Sequence, residues 1–294
     1  MKNFLLLFIL FISTSISGFS QQKGPIPNLE IPKLKPNEVV VKHYAYSLSY
    51  NEPNEQANWV AYELTSDETI SIFKRSNKFI QDPLITTGTA DDQDYAGNGY
   101  DKGHLAPAGD MGWSATSMKE SFYYSNMSPQ VPSFNRGVWK RFEELVRSWA
   151  NEYKSVYVVT GPVLTSGLKS IGHDHVSVPK YFYKVILDYH APRVKGIGFI
   201  IPNAASQEPL QRYAVTIDRV EKVTGIDFFS ALPDPQEKTI EATLNINAWT
   251  WANVKLTSPK AKSSNSVQCR GITKKGTRCK NRATNPNGRC YLHQ

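Results

Sequence analysis

Cysteine is absent from the first 268 residues; Cys269, Cys279 and Cys290 all fall near the end of the chain. A disulfide framework is thereby excluded as the scaffold of the main body, which has to be held by a hydrophobic core. Acidic residues are absent from Ser258 to Gln294, where nine Lys and Arg stand unopposed. The whole chain carries +8 and the remainder therefore −1, so the basic character belongs to the tail. Past the first twenty residues there is no long apolar run, which excludes a bundle of membrane-spanning helices. Gly-x-Ser-x-Gly does not occur either, which removes the serine-hydrolase elbow.

What is present divides the 294 residues into unequal parts. Lys2, the apolar run Phe4 to Ile12 and the polar, small-residue stretch Ser13 to Ser20 have the layout of a signal peptide. The sequence thus predicts a leader over 1–20 and a mature protein that is secreted or periplasmic, with no membrane span. Pro25, Pro27, Pro32 and Pro36 mark 21–42 as an extended arm. Residues 43–256 form the main domain, 257–267 a Ser/Lys/Pro linker, and 268–294 a small basic module. Within the main domain, strands are expected at Tyr44 to Tyr50, Trp59 to Leu64, Ser155 to Gly161, Tyr181 to Leu187 and Lys195 to Ile201. A long helix is expected from Asn135 to Tyr153, with Val138, Phe142, Leu145, Val146 and Trp149 at helical spacing. Leu210 to Thr224 reads as a strand running into a short helix stopped by Gly225. Strands and helices without regular βαβ alternation predict an α+β fold.

The chemistry concentrates in Asp101-Lys102-Gly103-His104, followed by Asn126, Asn135 and Glu143. One imidazole, one ammonium, two amides and a carboxylate suit attack of water on a phosphodiester beside a hard cation. His104 is the expected general base, since a neutral imidazole can take a proton from water near neutral pH. Lys102 places a cation beside it. Asn135 opens the helix, where it is either an N-cap or an amide-oxygen ligand for Mg²⁺ (or Mn²⁺), which takes few protein oxygens and keeps its waters. Glu143 is eight positions further on, within about 80° of Asn135 around the helix, and can hold metal-bound waters. His173, His175 and His190 are expected to be structural or solvated.

The text from Asp101 to Met111, Ser125-Asn126-Met127-Ser128-Pro129-Gln130-Val131-Pro132, and Asn135 through Trp139 to Glu143 resembles the DNA/RNA non-specific endonuclease family. That family includes mitochondrial endonuclease G and the Serratia-type secreted nuclease. Val178 to Val185, Pro202-Asn203 and Thr224 to Phe229 extend the likeness over roughly residues 44 to 235. The resemblance implies a ββα-metal (His-Me finger) core with a mixed sheet, His104 as base and Asn135 as the direct protein ligand of Mg²⁺. It puts Asn126 and Glu143 in supporting positions, and maps a phosphate-facing arginine onto Arg75. It implies cleavage of DNA and RNA with little sequence preference, leaving 5′-phosphate ends, and it is compatible with a homodimer. The family commonly has Arg where this chain has Lys102, which keeps the charge but not the bidentate fork. A silent nuclease fold that only binds nucleic acid is the alternative reading.

In the tail, three thiols cannot pair completely, whereas Cys269, Cys279, Cys290 and His293 complete a tetrahedral Zn²⁺ site. One disulfide plus a free thiol is the other arrangement. Lys274, Lys275, Arg278, Lys280 and Arg282 make this module an expected contact for nucleic acid or an anionic cell surface.

Overall fold

The computed structural model describes residues 26–190, 194–251, 267–272, 277–279 and 282–283. The expected signal peptide lies outside them, as do Lys274, Lys275, Lys280, Cys290 and His293. The strands are β1 (Val41–Lys42), β2 (Ser47–Asn51), β3 (Gln56–Thr65), β4 (Asp101–His104), β5 (Met127–Gln130), β6 (Ser155–Pro162), β7 (Lys169–Ile171), β8 (Val176–Val178), β9 (Tyr181–Asp188), β10 (Lys195–Pro202) and β11 (Ala214–Val215). The helices are α1 (Asp92–Tyr95), α2 (Ala115–Glu120), α3 (Lys140–Tyr153), α4 (Ile217–Thr224) and α5 (Asp234–Ala242).

Seven strands form the main sheet in the order β1-β2-β3-β6-β9-β10-β11. The α+β expectation holds, but the sheet is not mixed. Each neighbouring pair runs antiparallel, because hairpins and long returning excursions join the strands instead of right-handed crossovers.

Both faces of the sheet are covered, which is why β6 and β9 read as unbroken apolar runs rather than alternating ones. On β9 the period of two sends Phe182 and Ile186 to one core and Tyr183, Val185 and Leu187 to the other. The first core packs against α3 through Phe142, Val146 and Trp149. The second packs against α4 and α5 through Ile217, Val220 and Ile240, with Phe228 and Phe229. Gly198 permits this close approach: a Cβ there would lie 2.6 Å from Val220 Cγ2 and 2.9 Å from the Thr216 carbonyl. The Pro-rich arm lies against the second core, with Leu29 fully buried and Glu38 accepting the Trp59 indole N–H at 2.9 Å.

The long helix differs from its sequence expectation at one end. Phe134–Trp139 forms a π-helical turn, and regular α-helix starts only at Lys140. Gly137, with φ −110° and ψ −106°, absorbs the break, and π turns of this kind recur at functional sites. No helix among the described residues is long and apolar enough to cross a membrane.

Candidate active site

Strands β4 and β5 form a separate two-stranded sheet in which Gly103 faces Ser128 and His104 faces Met127. A Cβ on Gly103 would fall 2.1 Å from the Gln130 side chain, so a larger residue there would have to displace that buried amide. The chain then passes through the π turn into α3, so two strands and a helix converge on one cavity. That cavity is about 370 Å³ and is lined by Arg75, His104, Asn135, Arg136, Glu143 and Arg147, with Lys140 at its rim. Two larger clefts, about 540 and 520 Å³, lie around Lys35 and Glu38 and have no histidine in their walls.

His104 is 6% exposed, and its Nε2 has no hydrogen-bond partner among the described residues. Phe122 meets the imidazole edge-on at 4.8 Å, and Phe79 stands 5.9 Å away. Its carbonyl accepts the Trp139 indole N–H at 3.2 Å, tying the end of β4 to the π turn. Burial, with the nearby Arg75 charge, pushes its pKa down to about 3. The ring is therefore neutral, and His104 lines the cavity with its unused nitrogen buried.

Asn135 donates Nδ2 to Asp101 Oδ2 at 2.8 Å. Its amide oxygen is then the atom left for an external ligand. Asp101 also takes a two-point contact from Arg136, at 2.8 and 2.6 Å, and these hydrogen bonds outweigh burial and hold its carboxyl below the usual range. Glu143 is half-buried in the same wall. Burial drives its carboxyl pKa up, against the opposing pull of Arg147, Lys184 and Arg75. Asn135 and Glu143 thus offer a small all-oxygen set beside an orphaned imidazole nitrogen, which fits a hard divalent cation that retains its waters.

The remaining expected site residues lie around this cavity in different ways. Asn126 is fully buried and uses its whole amide on backbone: Oδ1 accepts the Ala106 N–H, and Nδ2 donates to the carbonyls of Ala106 and Ser121. It fixes the segment after His104 and has no atom left for phosphate. Lys102 is held by Asp92 and lies 4.2 Å above the Phe79 ring, and it does not line the cavity. Arg75 does line it, stacked 5.0 Å from the Phe122 ring centre. The sequence reading also missed a buried charge group beneath the floor. Arg147 donates to Asp110 at 2.6 Å, and Tyr62 donates to the other Asp110 oxygen at 2.8 Å. Lys184, 1% exposed, has no hydrogen-bond partner among the described residues and sits 4.7 Å from the Trp139 ring centre. Its signal was visible as one lysine inside the apolar run Tyr181 to Leu187. His173, expected to be structural or solvated, stays exposed while reaching the buried Asp94 at 3.1 Å.

In the tail, Cys269 and Cys279 are buried against each other, and the Gly271 N–H donates to Cys269 Sγ at 3.3 Å. Arg278 is exposed and donates Nε to the Cys269 carbonyl at 3.3 Å.

Comparison with known proteins gives consistent matches. The profile of the DNA/RNA non-specific endonucleases matches residues 29–235. Nuclease C1 of Cunninghamella echinulata var. echinulata is 37% identical over 208 residues, covering 64% of this chain and 81% of that protein. Mitochondrial endonuclease G of Homo sapiens is 34% identical over 199 residues, 63% of this chain and 67% of its own length. A solved structure of EndoG bound to EndoGI, concerned with EndoG inhibition, superposes with a TM-score of 0.66 at 33% identity. It covers 72% of this chain and 92% of that one.

Proposed function

The chain belongs to the DNA/RNA non-specific endonuclease family, and on that premise we propose a metal-dependent endonuclease that hydrolyses DNA and RNA with little sequence preference. The observation that carries this reading is that His104, whose buried Nε2 has no partner among the described residues, lines one cavity with Asn135 and Glu143. Burial keeps that nitrogen unprotonated, as a base must be, and an arriving phosphate brings the negative charge that raises its basicity.

His104 Nε2 takes a proton from water as the water oxygen bonds to phosphorus. The P–O3′ bond breaks on the opposite side and the departing oxygen takes a proton from solvent, giving a 5′-phosphate and a 3′-hydroxyl. Arg75 supplies positive charge to the phosphate from the cavity wall, with Arg136 and Lys140 at the mouth. Lys102 adds charge only once freed from Asp92. Asn126 positions the base by pinning Ala106. Asn135, with Glu143 behind it, would hold Mg²⁺ or Mn²⁺, which when bound neutralises charge on the phosphate and the departing oxygen. The first twenty residues support export, to the periplasm or the medium. The tail is a Zn²⁺-folded module on Cys269, Cys279, Cys290 and His293, which gathers long nucleic acid through its Lys and Arg.

Incubation of the mature protein with supercoiled plasmid and structured RNA, with Mg²⁺ and then with EDTA, tests the reading alongside His104→Ala. Metal-dependent cutting of both substrates that disappears in the variant is the expected result. Retardation of plasmid without cutting under any metal would instead make this a binding protein on a silent nuclease fold.

A further inference from the structure

The face of the sheet opposite α3 carries a second group of oxygen donors. Five carboxylates gather where α4 meets α5: Asp218 and Glu221 on α4, Asp227 in the connecting loop, and Glu237 and Glu241 on α5. Glu241 belongs to two overlapping triads, one with Asp218 and Glu221, the other with Asp227 and Glu237. In each, the oxygen atoms lie within 4.8 Å of one another.

Clusters of acid are common on surfaces, and what distinguishes this one is Glu241. It is 7% exposed, and its Oε1 has no hydrogen-bond partner among the described residues. A buried carboxylate with an unused oxygen is costly unless something compensates it. The only described ion pair reaching the cluster is exposed: Lys33 Nζ to Asp227 at 3.2 Å. Glu221 accepts the Phe228 N–H at 2.8 Å, which fixes that carboxylate but brings no full positive charge. Burial followed by the neighbouring Glu221, Glu237, Asp227 and Asp218 charges pushes the Glu241 carboxyl up to about 9. A buried carboxylate so placed is either protonated or completed by a cation.

We infer that these carboxylates form a Ca²⁺ site, with Glu241 as the inner ligand shared between the two triads and the rim supplied by α4, α5 and their loop. The donor set is all oxygen and rich in carboxylate, and it sits on two short helices that can adjust. Ca²⁺ accepts six to eight oxygens in flexible geometry, whereas Mg²⁺ demands a tight octahedron. The site's work is structural. It clamps α4 to α5 over β10, where Gly196 and Gly198 let both helices sit close to the sheet. It lies across the sheet from His104, on the second core rather than the first, and does not depend on the nuclease reading.

The test is thermal unfolding of EDTA-stripped full-length protein titrated with Ca²⁺, for the unsubstituted chain, Glu241→Gln and Asn135→Ala. Saturating Ca²⁺ is expected to raise the Tm of the first and third alike by about 5 °C. Glu241→Gln should melt no lower than the stripped parent and lose most of that rise. An undiminished Ca²⁺ shift in Glu241→Gln overturns the site. So does a parent that shows no shift, in which case Glu241 is simply protonated. Should Glu241→Gln fail to fold, the exposed Asp218→Asn serves. Its Ca²⁺ midpoint should weaken by about tenfold with one charged ligand removed, and an unchanged midpoint counts against the proposal.

Discussion

Asp101 Oδ2 accepts the Nδ2 of Asn135 at 2.8 Å, so a carboxylate on β4 decides which atom of the amide is presented to the cavity. An unrestrained amide is free to present its NH₂, which repels a cation. Asp101→Ala should therefore weaken activation by Mg²⁺ about 10- to 100-fold, the range found when a ligand loses the partner that orients it. The rate at saturating metal should fall much less. A loss of rate that no concentration of Mg²⁺ restores would assign Asp101 some other part.

His104→Ala should lower the cleavage rate by about 10²- to 10⁴-fold, the usual contribution of a positioned base. A folded variant that cuts at near-normal rate removes His104 from the mechanism.

The same residue gives a pH dependence of stability. Its folded pKa of about 3 lies below the ordinary 6.5, so the unfolded chain binds the proton first. The stability that neutral His104 contributes is complete above pH 6.5 and is lost as pH falls from there towards 3. The slope from this one group is at most about 1.4 kcal/mol per pH unit. Urea midpoints between pH 7 and 4 should fall less steeply in His104→Gln than in the parent, and parallel curves would show that burial of the ring is not what lowers acid stability.

Lys184 raises a separate question of charge. Its ammonium opposes the upward drive that burial exerts on Glu143. Lys184→Met removes a buried cation and leaves an apolar chain of similar length, so the fold should survive. Glu143 then loses a favourable charge, its pKa rises further, and the acid limb of the pH–rate profile should move to higher pH. Superimposable profiles would mean that Glu143 is governed by Arg147 and Arg75 without help from Lys184.

Arg147 and Asp110 form the most buried ion pair in the site, completed by Tyr62. Asp110→Ala strands the guanidinium and should cost about 3–5 kcal/mol. Arg147→Met combined with Asp110→Ala should recover part of that loss, because neither partner is then left charged and unpaired. A double variant whose denaturation midpoint is as low as the sum of the two single losses would show that the pair is not coupled.

These cases also show where sequence reasoning reaches. His104, Asn135 and Glu143 were legible because local pattern places them at a Gly-spaced strand end, in a helical segment and on a helix face, although Asn135 lies inside the π turn and not at a helix N-cap. The strands β6, β9 and β10 were legible because a sheet covered on both faces leaves an unbroken apolar signature, whereas the short β7–β8 pair between them was not. The π turn was not, since Gly137 within an otherwise regular period gives no notice of the carbonyl shift it permits. Nor were the partners from distant segments. Asp101 is 34 residues from Asn135, and Asp110 is 37 from Arg147; only tertiary pairing brings them together. Lys102 misled in the opposite sense. Its position two residues before His104 puts it on the same side of β4, but Asp92, from a segment with no motif, draws its ammonium away.

The tail can be separated from the chemistry by salt. Nine Lys and Arg and no acid follow Thr257, while the residues that line the cavity all precede it. Each phosphate neutralised on duplex DNA contributes about −0.9 to the slope of log K against log salt. Truncation after Thr257 should make that slope shallower by several units and weaken binding of long DNA most at low salt. Cleavage of a short oligonucleotide, too small to span both parts, should be unchanged. The two measurements belong together. A tail that only solubilises the chain leaves the slope where it was, whereas a tail needed for folding of the main domain lowers the oligonucleotide rate as well. Loss of slope with the oligonucleotide rate intact is the outcome that makes the tail a gathering arm for a nuclease that is complete without it.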